Sequence, residues 1–327
     1  MRLPLFNCGS NGSELNHIPS LCICISLALC IPVIYAAAAQ TPAPTEFTIY
    51  SQGNRVSQAD MLNRLKEANV VFVGEEHDDP IAHQLELDIL QGLYTEHPKV
   101  MLSMEMFERD VQPQLNEYLD GFITEPSFLA CSRPWPNYKT DYRPLVEFCK
   151  ANHISIIAAN APRRYVNMVS REGMSSLNKL PKISKSYIAP IPYSMKLPSG
   201  YETELDSIFG VSHEAGVKKD EMKKGESVDA SMPSPENMKQ AQALWDSTMA
   251  DSVEKAIHTH PGYLIMQMNG RMHSDSGWGI AARLHQKMPH LKILIVSIHK
   301  AGAPMIYRND EQSAGDYVIL TTTQPEK

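Results

Sequence analysis

Two stretches of the chain share the form Gly-x-x-His: Gly74-Glu75-Glu76-His77 and Gly270-Arg271-Met272-His273. Each follows a short apolar run. Glycine allows a tight backbone turn at such a point, and the imidazole beyond it can then face back over the end of the run. Another apolar run closes on Glu105. Two imidazoles and one carboxylate make a His₂Glu set, which holds a catalytic metal while leaving a position open for water. Neutral imidazole with carboxylate suits zinc, manganese or iron. In that chemistry His77, Glu105 and His273 are the ligands, and Glu76 is the general base on a metal-bound water. The competing reading of a lone histidine is a satisfied core or surface residue. Glu75, Glu76, Asp78 and Asp79 read more simply as a solvated acidic loop, Arg163 and Arg164 as its balancing charges, and Arg109 as a helix cap. There is no HExxH, GxSxG, P-loop or CxxC, and no GxGxxG follows the first run, which argues against a dinucleotide cofactor and a cysteine-based site.

The elements that must place these residues are legible from hydropathy. Apolar runs at 70–73, 100–104, 154–159, 263–268, 293–298 and 317–321 are continuous rather than alternating. Continuous runs are strands covered on both faces, as in parallel sheets. Between them the spacing predicts helices over 57–68, capped by Ser57 with Asp60 at the capping-box position, over 82–94 and over 142–152. A further helix opens at Ser234-Pro235 and carries Met238, Ala241, Trp245, Met249, Val253 and Ile257 on one stripe until His260-Pro261-Gly262. Strand and helix in alternation define the α/β class, a mainly parallel sheet flanked by helices. In such sheets ligands bind beyond the carboxyl ends of the strands. That rule selects the Gly-x-x-His turns, Glu105, and the stretch Asn160-Ala161-Pro162-Arg163-Arg164 after the third run. Residues 179–233, rich in Pro and Lys (Lys218, Lys219, Lys223, Lys224), break the rhythm as a helical insertion or lid. The resulting division is a leader at 1–39, a linker and N-terminal strand at 40–56, and the α/β domain at 57–178 and 234–327 around the insertion.

Of 327 residues, 43% are apolar and 20% charged, values of a globular protein, and the formal charge of −7 argues against nucleic acid as a partner. Residues 18–39 are almost free of charge and end in an alanine run, the pattern of a secretory signal peptide. Retention as an anchor is the alternative, since the stretch is long enough to span a bilayer. Cys131 and Cys149 lie beyond this leader, either as two free thiols or as a disulfide.

The strings VVFVGEEHDDP, SMEMFERDVQPQLNEYL, TDYRPLVEFCKANHISIIAANAPRRYV, ALWDSTMADSV and NGRMHSDSGWGIAARL, in that order, resemble the ChaN-like haem-binding proteins of the Tiki/TraB/erythromycin-esterase-like superfamily. The resemblance implies an exported, often lipidated protein of the bacterial periplasm or outer membrane, tied to haem or iron uptake, with haem held through a tyrosine between the protomers of a dimer. Cys30 sits in a poor lipid-attachment context. The tyrosine should fall in the divergent insertion, where Tyr187, Tyr193 and Tyr201 are the candidates. Glu76, Asn160, Arg163 and Asn269 match motif neighbours, and Arg163, Arg164 or the insertion's lysines could pair with haem propionates. Superfamily relatives with the paired Gly-x-x-His and a Glu include metal-dependent proteases and esterases, so a metal-dependent hydrolase using His77, Glu105 and His273 is the alternative function.

Overall fold

A computed structural model describes residues 46–209, 233–301, 306–308 and 312–322. The leader, the start of the linker and the lysines at 218–224 lie outside these residues. All six apolar runs are strands. With two short strands before them they are β1 (Phe47–Ser51), β2 (Asn54–Val56), β3 (Val70–Glu75), β4 (Val100–Glu108), β5 (Ile156–Asn160), β6 (Leu264–Gly270), β7 (Ile293–Ala301) and β8 (Tyr317–Thr322). They form one sheet in the order β2-β1-β8-β7-β3-β6-β4-β5. β8, β7, β3, β6, β4 and β5 run parallel, and β1 is antiparallel to both of its neighbours. The sheet is therefore mixed, with the parallel part carrying the Gly-x-x-His turns.

Among the described residues, ten α-helices flank it: α1 (Gln58–Leu65), α2 (Pro80–Glu96), α3 (Gln112–Leu119), α4 (Glu125–Ser132), α5 (Arg143–Ala151), α6 (Arg163–Glu172), α7 (Lys182–Lys185), α8 (Ser199–Ile208), α9 (Pro235–Thr259) and α10 (Gly279–Lys287). The caps follow the sequence. Ser57 accepts from the Asp60 amide at 3.1 Å, and Ser234 from the Asn237 amide at 3.2 Å ahead of Pro235. Successive residues of β3 feed opposite cores, which is why the run is continuously apolar. Val71 and Val73 pack with Leu85, Ile89 and Leu90 of α2, whereas Val70 and Phe72 pack with Met249 and Val253 of α9 and Ile280 of α10. Each such side chain contributes roughly 1.5–3 kcal/mol on burial.

Arg109 differs in position from what the sequence predicts. Arg109 does not cap a helix end. It crosses to the middle of α9, donating to the Thr248 carbonyl at 2.7 Å and Asp251 Oδ2 at 2.8 Å, and reaches the Ile188 carbonyl at 3.1 Å. The described part of the insertion carries the helices α7 and α8 and packs on the domain. Ile188 and Tyr193 share a core with Tyr165, Val169, Leu177 and Leu244, so α6, α9 and the insertion form one layer. Cys131 is exposed, Cys149 buried, and both thiols are free.

Candidate functional site

The carboxyl ends of β3, β6 and β4 meet because these strands are neighbours, with Glu75 in register with Gly270. The two glycines are needed for one reciprocal reason. A Cβ at Gly74 would lie 2.8 Å from the Arg271 Cα and 2.9 Å from the Ser274 hydroxyl. A Cβ at Gly270 would lie 2.7 Å from His77 Nε2 and 3.8 Å from Glu105 Oε2. Each Gly-x-x-His turn is thus the wall of the other. The β4–β5 register slips between Met104 and Glu108, an irregularity of the kind that re-aims a side chain beside a site. Glu105 lies in this slip. Its Oε2 accepts from the Gly270 amide at 2.8 Å, and its Oε1 stands 3.5 Å from His273 Nε2.

His273 is almost fully buried and is oriented from behind by α9 and α8. Its Nδ1 donates to Asp246 Oδ1 at 2.6 Å. Asp246 Oδ2 accepts from the Tyr201 hydroxyl at 3.0 Å and lies 3.6 Å from the Arg283 guanidinium. Burial alone would lower the pKa of His273. Glu105 and Asp246 overcome burial and hold it up at about 9, against opposition from Arg283. His77 behaves similarly. Burial opposes its charge, Glu75 and Glu105 outweigh burial, and His273 pushes the other way, leaving the pKa raised. His77, Glu105 and His273 therefore act on one another electrostatically, with His77 at the exposed mouth and His273 at the buried end.

Glu75 and Asp79 are not part of a solvated loop. Glu75 is the last residue of β3 and is 2% exposed, and Asp79 caps α2 by accepting from the Ile81 amide at 3.0 Å. Glu76 and Asp78 do stay in contact with solvent, Glu76 lying 3.4 Å from Arg271 and Asp78 2.6 Å from Lys300. Glu75 Oε1 accepts from His77 Nδ1 at 2.7 Å and from the Tyr142 hydroxyl at 2.8 Å. Its other oxygen faces His83, which also contacts Glu86. Burial works against the charge on Glu75, yet its donors hold the carboxyl well below the usual range; burial and the neighbouring Glu75 push Glu86 well above it. Among the described residues, Glu75, His83 and Glu86 form the one group of three His, Cys, Asp or Glu whose ligand atoms all lie within 4.8 Å of one another. His77, Glu105 and His273 do not close to that separation.

Beside His77 lies a cleft of ≈ 690 Å³ lined by Met106, Glu108, Arg133, Pro134, Trp135, Pro136, Arg163 and Arg164. Trp135 meets the His77 ring edge-on at 4.8 Å, which joins the cleft to the Gly-x-x-His turns. Asn160 does not point into open space, because its Oδ1 accepts from the Ala161 amide at 2.8 Å. Arg164 pairs with Asp110 at 2.7 Å and lies over the Tyr165 ring.

The insertion's tyrosines have different surroundings. Tyr201 is fully buried against Asp246. Tyr193 is buried with its hydroxyl donating to the Gln240 carbonyl at 2.9 Å, and burial raises its pKa. Tyr187 is half-buried.

A mainly parallel α/β sheet thus carries the Gly-x-x-His turns at its carboxyl edge, with a cleft lined by arginines and Trp135 beside them. The sequence profile described as "Haem-binding uptake, Tiki superfamily, ChaN" matches residues 61–284, and the chain belongs to this family. Its fold is similar to that of ChaN of Campylobacter jejuni, a structure solved with cofacial haem. The TM-score is 0.58 at 16% identity, over 85% of this chain and 98% of that one. An erythromycin esterase mutant in its open conformation aligns at a TM-score of 0.46 and 11% identity over 80% of this chain and 92% of that one. Among curated proteins, RETICULATA-RELATED 5, chloroplastic, of Arabidopsis thaliana is 24% identical over 273 residues, 80% of this chain. The chain spans 35% of that relative's length.

Proposed function

We propose that this protein binds haem in the cleft beside His77 and serves haem or iron uptake or storage beyond a membrane. The observation that carries the reading is the cleft's composition. Trp135, Met106 and two prolines supply an apolar wall, while Arg163 and Arg164 stand in the first turn of α6. Guanidinium groups favour carboxylates such as the propionates, as the first amide of α6 already does in donating to Glu108 at 3.1 Å. A volume of ≈ 690 Å³ falls within the ~300–1,000 Å³ of small-molecule sites. Haem when bound would supply redox-active iron, for which a phenolate is an accepted axial ligand. Tyr193 and Tyr201 have hydroxyls committed to protein partners, so Tyr187 is the candidate best suited to that role. Tyr165, which lies outside the insertion and next to Arg164, is the second. Titration with hemin should give a saturable visible band, weakened about tenfold or more when Arg163 and Arg164 are both changed to Ala. The iron-ligand part of the reading fails if neither Tyr187→Phe nor Tyr165→Phe alters the spectrum.

The apolar, alanine-terminated stretch at 18–39 supports export to the periplasm or outer membrane of a bacterium. Fractionation of cells carrying a C-terminally tagged chain tests this, export predicting a product shortened by the leader and cytosolic full-length chain opposing it. A dimer sharing haem between protomers belongs to the same proposal, and sedimentation with and without hemin measures it.

A second reading, metal-dependent hydrolysis, is favoured by one observation, the buried Asp246–His273–Glu105 chain ending beside His77. It predicts esterase or peptidase activity abolished by His77→Ala and by His273→Ala. In that case Glu76 would serve as base.

A further inference from the structure

Haem binding makes no use of the buried group where β3 passes into α2. His83 Nδ1 lies 3.0 Å from Glu75 Oε2 and 3.2 Å from Glu86 Oε2. Ligands bound to one ion at ~2.0–2.2 Å stand roughly 3 Å apart, so these ion-pair separations are also compatible with a coordination shell. The other ring nitrogen, Nε2, faces two acceptors, the His77 carbonyl at 3.3 Å and Asp141 Oδ2 at 3.5 Å. Against burial, Glu75 and Glu86 hold the His83 pKa up at about 11, so without an ion Nδ1 is protonated and donates to them; Nε2 can keep its hydrogen while a cation displaces the Nδ1 proton. A ligating histidine is held in the same manner, its second nitrogen donating to a carbonyl or carboxylate.

An independent sign comes from Glu86, which is 0% exposed and whose Oε1 has no hydrogen-bond partner. A buried carboxyl oxygen without a partner costs free energy unless the group is protonated, as its raised pKa allows, or a cation reaches it.

We propose that Glu75, His83 and Glu86 form a divalent-cation site distinct from the haem cleft and from the His77–Glu105–His273 trio. One imidazole with two carboxylates takes a first-row ion such as Mn²⁺ or Zn²⁺. Glu75 links this site to the cleft, because its Oε1 accepts from His77 Nδ1 while its Oε2 faces the ion position. The ion would fix the orientation of His77 through that shared carboxylate.

The test uses the purified haem-free chain, stripped with chelator and titrated calorimetrically with ZnCl₂ and with MnCl₂, with elemental analysis after gel filtration. One equivalent of at least one ion per chain is expected, unchanged by His273→Ala and lost in Glu86→Gln, which keeps side-chain size. Asp141→Asn should weaken binding by about 10–100-fold through loss of His83 orientation. Circular dichroism confirms that each variant is folded, and if Glu86→Gln is not, Asp141→Asn decides alone. The proposal is overturned if neither ion binds stoichiometrically to the unmodified chain, if binding survives Glu86→Gln, or if it disappears with His273→Ala. None of these outcomes depends on hemin, so this site and the haem cleft stand or fall separately.

Discussion

Gly270 stands where any side chain would strike the imidazole of the opposite turn, so its role is specific and testable. Gly270→Ala places a methyl 2.7 Å from His77 Nε2. We expect it to displace His77, weaken hemin binding severalfold, and cost about 1–3 kcal/mol in stability from overpacking; hemin titration and chemical denaturation measure the two effects. At His273 the prediction concerns pH. Its folded pKa is raised from 6.5 to about 9. The corresponding stabilisation is therefore complete below pH 6.5 and lost as pH rises through about 9. At ~1.4 kcal/mol per pH unit this amounts to on the order of 3 kcal/mol. Denaturation midpoints should fall across that window, and Asp246→Asn should flatten the fall by removing the partner on Nδ1. A wild-type profile flat from pH 6.5 to 9 would show that the charge pairing at His273 contributes nothing to stability.

Among the elements, α9 ties the molecule together through buried polar contacts, and Arg109 is the bridge. Arg109→Ala would leave Asp251, 4% exposed, with Lys255 as its remaining cationic partner, and would free the carbonyls of Thr248 and Ile188. A loss of about 3 kcal/mol is expected from denaturant titration, the cost typical of breaking a buried pair on one side. Cys131 should react readily with a thiol reagent in the folded protein, while Cys149, buried and with its pKa raised by burial, should not. The strands were legible because a short, continuously apolar run between helices can be buried on both faces only as an inner strand. The site's glycines and histidines were legible because they sit at strand ends. What sequence did not disclose lies on helices. His83 and Glu86 share a stripe with Leu90 and Leu93, and Asp246 shares one with Met249 and Val253, so a polar residue on an apolar face was the available signal. Glu75 was hidden differently. Nothing local distinguishes it from Glu76, and only the extra length of β3 turns one inward and leaves the other outside.

At the scale of the whole molecule, a mixed sheet brings strand ends from residues 74, 105 and 270 to one edge, and α6 closes that edge with cations. Under the proposed function this placement would let an acidic chain take a dianionic ligand, because local charge rather than net charge decides the contact. Family membership points to the ligand class, and the cleft beside His77 is the site proposed for it. The most direct measurement is a hemin titration of the purified protein followed by absorption spectroscopy, run in parallel on the Arg163→Ala/Arg164→Ala double variant. If haem binds in this cleft, the first gives a saturable band at a fixed stoichiometry and the second a clear loss of affinity. A band that never saturates, or one identical in both proteins, would contradict haem binding there.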